Sequence, residues 1–195
     1  AINLQQNPTT ANAGVDQNVC ITGGIPANLN ANAPGVGTGV WSFAPGGNPD
    51  GLALTAFSDV NDRLSTFTGT AGEVYVLRWT ISNGVCPVST DDVQISISED
   101  PTASNAGAPQ TVCGSSTVLT ANAPMIGTGT WSVDAGVGGS FVNVNDPTTT
   151  FNGVAGNSYT LRWTISNGVC AASFTTVAIN LQQNPTTANA GVDQN

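Results

Sequence analysis

The chain is 195 residues long with a mass of 19.6 kDa, enough for one medium domain or two small ones. Twelve acids and three arginines make up 8% of the residues, with no lysine and no histidine, giving a net charge of −9 and an isoelectric point near 4.1. That inventory excludes imidazole catalysis, histidine-bearing zinc sites, lysine Schiff bases and lysine isopeptide staples, and argues against nucleic acid and anionic membranes, whose charge nothing here would neutralise.

Residues 1–18, AINLQQNPTTANAGVDQN, return unchanged as residues 178–195, a period of 177 residues. The expectation is an excerpt of a tandem array, mature or cut from something longer. Residues 1–6 would then be the last strand of a preceding domain, frayed or paired outside their own unit. Asn12-Ala13-Gly14 and Cys20 return as Asn105-Ala106-Gly107 and Cys113, a shift of 93. ANAPGVGTGVWS at 31–42 returns as ANAPMIGTGTWS at 121–132, placing Trp41 and Trp131 on an early strand. The stretches 21–30 and 44–56 absorb the length differences, as surface loops do.

Further along, VND at 60–62 returns at 144–146, and LRWTISNGVC at 77–86 returns at 161–170, a shift of 84. Tyr75–Ile81 is the clearest strand. Tyr75, Leu77, Trp79 and Ile81 share one face and Val76, Arg78 and Thr80 the other. Its copy carries Tyr159 and Trp163. Asn83-Gly84 suggests a two-residue type I′ hairpin. On the next strand Cys86 and Val88 share one phase and Val93, Ile95 and Ile97 the other, which predicts a β-bulge near Ser89–Asp92. The second copy behaves alike, with Cys170 and Ala172 against Val177, Ile179 and Leu181.

With 39% hydrophobic residues, 23 Gly, 11 Pro and abundant Thr, Asn, Ser and Val, the composition suits short strands and frequent turns. No run of about 18 apolar residues occurs. The fold class is all-β: two tandem Ig-like β-sandwiches of about seven strands each, in a repeat array. The boundaries read as 1–9 for the end of a preceding repeat and its linker, 10–98 for the first sandwich, and 99–104 for a linker. The second sandwich is 105–182, and 183–195 is a linker and the start of the next repeat. Pro101 and Pro185 make the linkers semi-rigid elbows. Trp41, Trp79, Trp131, Trp163, Tyr75 and Tyr159 are the expected core anchors.

The four cysteines, Cys20, Cys86, Cys113 and Cys170, fall two per unit at equivalent places. Three connectivities are open, and repeat symmetry favours Cys20–Cys86 with Cys113–Cys170, each closure stabilising by about 4 kcal/mol. Disulfides imply an oxidising, extracytoplasmic setting. Two thiolates per domain without histidine supply too few ligands for zinc. Calcium would need six to eight oxygens, which Glu99, Asp100 and loop carbonyls could offer at a linker. However, Thr175-Thr176 and Gln182-Gln183 replace Asp91-Asp92 and Glu99-Asp100 in the second copy, so solvated acids, some protecting a terminal strand, are the favoured reading. Asp59 and Asp62 flank a turn. No carboxylate pair suited to glycoside hydrolysis recurs in both units. Gly35-Val-Gly37-Thr-Gly39 lacks the lysine of a phosphate loop and reads as a turn. Arg78 and Arg162 face outward, toward an acid, an interdomain contact or a stacked sugar. No catalytic residue, cofactor or metal is expected.

The ordered set TANAGVDQNVC, ANAP, GTGxWS, VND, G-x-x-Y and LRWTISNGVC resembles the PKD-like/Ig-like tandem repeats of giant Bacteroidota surface adhesins, above all the SprB-type gliding-motility adhesins exported by type IX secretion. The resemblance implies a non-enzymatic, filamentous part of the cell surface. Its partners would be neighbouring repeats of the same chain, with other adhesin chains or surface polysaccharide beyond them. The reading is a repetitive stalk that carries force and extends a distal tip. The competing one is a carbohydrate- or protein-binding module acting through the repeats themselves.

Overall fold

In the computed structural model, which describes residues 5–20, 26–189 and 191, thirteen strands and a single 3₁₀ turn at Leu54–Ala56 are present among the described residues. Two compact units result. The first comprises residues 1–100 together with 168–170, and the second 101–167 together with 171–195.

The first unit holds β1 (Gln17–Cys20), β2 (Ala27–Asn28), β3 (Thr38–Phe43), β4 (Thr66–Phe67), β5 (Val74–Ser82) and β6 (Ser89–Ser98). Its larger sheet has the order β1-β6-β5-β3 and faces the small β2-β4 pair. Strand β5 forms because β-branched and aromatic residues alternate along it. Tyr75, Leu77, Trp79 and Ile81 are buried, while Val74, Arg78 and Thr80 look outward. Phe57, Phe67 and Leu29 close the core from the other layer.

The second unit repeats the plan with β7 (Gln110–Cys113), β8 (Ser116–Val118), β9 (Thr128–Ala135), β10 (Ser140–Phe141), β11 (Thr150–Asn152), β12 (Ser158–Ser166) and β13 (Ser173–Gln182). Its sheets are β7-β13-β12-β9 and β10-β11-β8, with Trp131, Trp163, Tyr159 and Phe151 buried between them.

In both units the first strand runs parallel to the last: Cys20 lies opposite Ser98, and Cys113 opposite Gln182. This pairing covers Ile95–Ser98 of β6; nearer its start the Asp91 carboxylate receives the leading segment and Asp92 receives Arg78, so neither is the solvated acid the sequence suggested. The expected bulge at Ser89–Asp92 is also absent, since β5 and β6 pair without a register shift from Val74↔Ser96 to Ile81↔Ser89. The phase conflict resolves differently. Cys86 and Val88 sit in a loop, and the inward positions before Val93 are polar. Ser89 Oγ accepts the Ala11 N–H at 2.9 Å and an Asp91 carboxylate oxygen accepts that of Ala13 at 2.7 Å. In the second unit Ser173 Oγ and Thr175 Oγ1 take the N–H groups of Ser104 and Ala106. These bonds dock each unit's leading segment where apolar side chains could not satisfy its backbone.

The Asn83-Gly84 turn is not type I′, which needs positive φ at both central residues. Among the described residues only glycines have positive φ, Gly84 at 55° included, and the Cys86 N–H closes the turn on the Asn83 carbonyl at 3.2 Å within a loop of residues 83–88.

Candidate functional site

The chemistry of this chain is concentrated in its cysteines. A disulfide joins Cys20 to Cys170, with Cα atoms 5.0 Å apart, and Cys86 and Cys113 are free thiols. This overturns the symmetric pairing Cys20–Cys86 and Cys113–Cys170. The reason lies in the parallel first strand. Cys20 stands beside Ser98 at the far end of β6, whereas Cys86 precedes Ser89 at the near end. At about 3.3 Å per residue, the two lie roughly 30 Å apart along the strand. A disulfide needs Cα atoms within about 7 Å. Cys113, beside Gln182, and Cys170, just before Ser173, are separated in the same way along β13.

Both hairpin cysteines rest on equivalent backbone. Cys170 Sγ lies 3.7 Å from the Ser98 carbonyl oxygen. Cys86 Sγ lies 3.7 Å from the Gln5 carbonyl oxygen, and its thiol donates to the Gln6 carbonyl at 3.2 Å. Asn83 Nδ2 donates to that same Gln6 carbonyl at 2.7 Å, and the Val85 N–H donates to Gln5 Oε1 at 3.2 Å. Gln5 and Gln6 are therefore bound to the 83–86 hairpin of the first unit; residues 1–4, the rest of the strand expected over 1–6, lie outside the described residues.

The linkers carry a second recurring device. Thr9 Oγ1 accepts the N–H groups of Gly35 and Val36, and the Thr9 N–H donates back to the Val36 carbonyl. Thr102 does the same with Met125 and Ile126. The residue following Pro8 and the one following Pro101 are thus fixed to the units they precede.

Cys20, Asp100 and Cys170 bring three potential ligand atoms within 4.8 Å of one another. Two of them are the sulfurs of the disulfide, which leaves a single carboxylate. Asp59 accepts the Asn61 N–H and Asp62 the Leu64 N–H, as turn acids do.

Two of the three arginines hold an acid. Arg78 donates to both oxygens of Asp92, directly across from it, at 2.7 and 2.8 Å. Threonine replaces that acid in the second unit, at Thr176. Arg162 turns instead to Asp134 on β9 at 2.6 Å and stacks over the exposed Phe174 ring at 4.3 Å. The third, Arg63, reaches the Ala31 carbonyl. Sequence reasoning missed Asp134 and Phe174, which have no charged or aromatic counterpart at the equivalent positions Ala44 and Thr90.

It also missed Asp50. Asp50 accepts the Tyr75 hydroxyl at 2.8 Å and the Thr70 hydroxyl at 2.6 Å. A carboxylate inside the 44–56 loop gave no periodic signal. The Thr70 hydrogen bond, with the Tyr75 hydroxyl behind it, holds that carboxyl below the usual range, and burial pushes the Tyr75 phenol up. A shallow depression on the second unit, edged by Thr111, Asn157, Asn180 and Gln183, presents uncharged groups.

No family model matches the sequence, and no curated protein matches it. Solved structures do resemble it in fold. The chain superposes on Sidekick-1 immunoglobulin domains 1–4 with a TM-score of 0.59 at 14% identity, covering 93% of this chain and 50% of that one. For the longer Sidekick-1 fragment of domains 1–5 the TM-score is 0.58 at 14% identity, over 92% and 40%. For the titin I-band fragment I67–I69 it is 0.53 at 11% identity, over 93% and 67%. The chain spans only 40–50% of the Sidekick-1 fragments. The architecture is that of immunoglobulin-like domains in tandem.

Proposed function

We propose that this chain is part of the repetitive stalk of a cell-surface adhesin or extracellular filament, serving to carry tension and hold a distal tip away from the cell. The observation that carries this reading is the Cys20–Cys170 bond, which spans 150 residues and ties the first sequence repeat to the second. Tension entering at Cys20 crosses to Cys170 through a covalent bond and bypasses the residues between them. The 177-residue period lets such a device recur, with stability a sum of unit terms. The disulfide supports an oxidising, extracellular location. The PKD-like kinship, the link to gliding motility and export by type IX secretion rest on the sequence resemblance.

A binding module working through every repeat is the weaker reading. Its best surface candidate, the Arg162–Phe174 stack, has Thr90 in place of the aromatic ring in the first unit.

Antibodies against this chain, applied to intact source cells and viewed by electron microscopy, test the stalk. Labels spaced regularly along surface threads are expected. Label confined to thread tips, or to a compact soluble particle, would overturn the reading.

A further inference from the structure

The two unpaired cysteines stand at the two halves of a bond that the molecule has already made once. Cys113 holds the place of Cys20: each ends a first strand and lies opposite the last strand's final residue, Gln182 or Ser98. Cys86 holds the place of Cys170: each ends the motif SNGVC. The 84-residue shift that carries Cys86 onto Cys170 also carries Ser98 onto Gln182, and Gln5 is the copy of Gln182 in the preceding period.

The contacts follow this equivalence. Cys170 Sγ lies 3.7 Å from the carbonyl oxygen of Ser98, the residue opposite its partner Cys20. Cys86 Sγ lies at the same 3.7 Å from the carbonyl oxygen of Gln5, whose copy Gln182 is the residue opposite Cys113. Cys86 is therefore seated on the strand position next to which a Cys113 belongs. Neither thiol has a partner within its own repeat, since Cys20 and Cys170 are bonded to each other and lie at the wrong ends of their strands.

We infer that Cys113 of one copy of this sequence bonds to Cys86 of the copy that follows it, so that consecutive repeats are stapled without interruption. This deepens the stalk reading and rests on it. The partner is a second copy of the same chain. The reaction is an exchange with a small disulfide such as oxidised glutathione: two thiols lose two protons and two electrons as one S–S bond forms, and the oxidant becomes two thiols. With both bonds in place, the bridged stretches 20–170 and 113 to the next 86 overlap, and no repeat is left outside a covalent bridge.

The test uses a chain of two periods, made by appending residues 19–195 after residue 195, refolded in a glutathione buffer. Free thiols are alkylated before pepsin digestion and mass spectrometry. The expected product keeps Cys20–Cys170 in each copy, adds one Cys113–Cys86 link, and leaves two alkylated cysteines: the first copy's Cys86 and the second copy's Cys113. Replacing those two by Ser should leave the link intact. Replacing the second copy's Cys86 by Ser should abolish it and leave the first copy's Cys113 alkylated. Four alkylated cysteines, or a Cys86–Cys113 link that survives this last substitution, would overturn the inference. Either result would leave the surface-thread labelling, and with it the stalk reading, to stand or fall separately.

Discussion

Trp41 and Trp79 face each other across the β3–β5 ladder with ring centroids 5.1 Å apart, and Trp131 and Trp163 repeat the arrangement at the same 5.1 Å. One residue pair sets the room available to its neighbours. A Cβ added at Gly39 would be driven into the Trp79 indole, and one at Gly129 into that of Trp163. Both indoles are fully buried and have nowhere to withdraw.

Gly39→Ala and Gly129→Ala are accordingly expected to destabilise by about 1–3 kcal/mol each, the range for overpacked cores. Gly46→Ala at an open, exposed turn, where φ is 74°, isolates the backbone cost alone. Urea denaturation of the three variants checks this. A Gly39→Ala variant as stable as the parent would contradict the packing described.

The two units differ in one polar detail. Trp163 Nε1 donates to the Asn122 carbonyl at 3.1 Å, while the buried Trp79 Nε1 finds no acceptor among the described residues. Trp163→Phe therefore loses a hydrogen bond that Trp79→Phe does not. The first should cost roughly 1 kcal/mol more than the second, as a buried bond of this kind contributes. Equal losses on thermal melting would show that the two indoles are satisfied alike.

Asp91→Ala removes the acceptor of the Ala13 N–H, and Thr175→Ala that of the Ala106 N–H. Each should destabilise by about 1–2 kcal/mol and raise amide exchange at the corresponding N–H. Unchanged protection there would show that these bonds do not fasten the leading segments.

Acid and alkali act on different groups. The Arg78 hydrogen bonds hold the Asp92 carboxyl below the usual range, as the Thr70 hydroxyl does for Asp50. Such groups bind protons less readily when folded, so their contribution is present above about pH 4 and lost as pH falls through the lower folded values. Burial raises the Tyr75 phenol, whose contribution is present below about pH 10 and lost as pH rises through its folded value. Melting temperature should therefore fall at both extremes. Asp92→Asn should soften the acid side by only a few tenths of a kcal/mol, because the pair is about one-third exposed. Tyr75→Phe should soften the alkaline side. An unaltered alkaline limb in Tyr75→Phe would contradict the assignment.

Much of this was legible in the sequence. The alternation of Tyr75, Leu77, Trp79 and Ile81 marks β5 because one face of an antiparallel pair is apolar and the other wet. The same rule failed on β6, where Ser89 and Asp91 point inward to receive N–H groups, a polar task that hydrophobic periodicity does not register. The cysteine pairing failed for a topological reason. Repeat symmetry is satisfied equally by bonds within a repeat and by bonds from one repeat to the next. Only the parallel pairing of β1 with β6, a long-range contact with no local signature, puts Cys20 at the wrong end of the strand to reach Cys86.

Force spectroscopy on the chain held by its two termini addresses the load-bearing role most directly. With the Cys20–Cys170 bond intact, the 150 residues it spans cannot lengthen, so extension should be confined to the segments outside it. Adding a reductant should release roughly 500 Å more, at about 3.4 Å per residue. Long unfolding steps without reductant would show that tension runs through the sandwiches and not across the cystine.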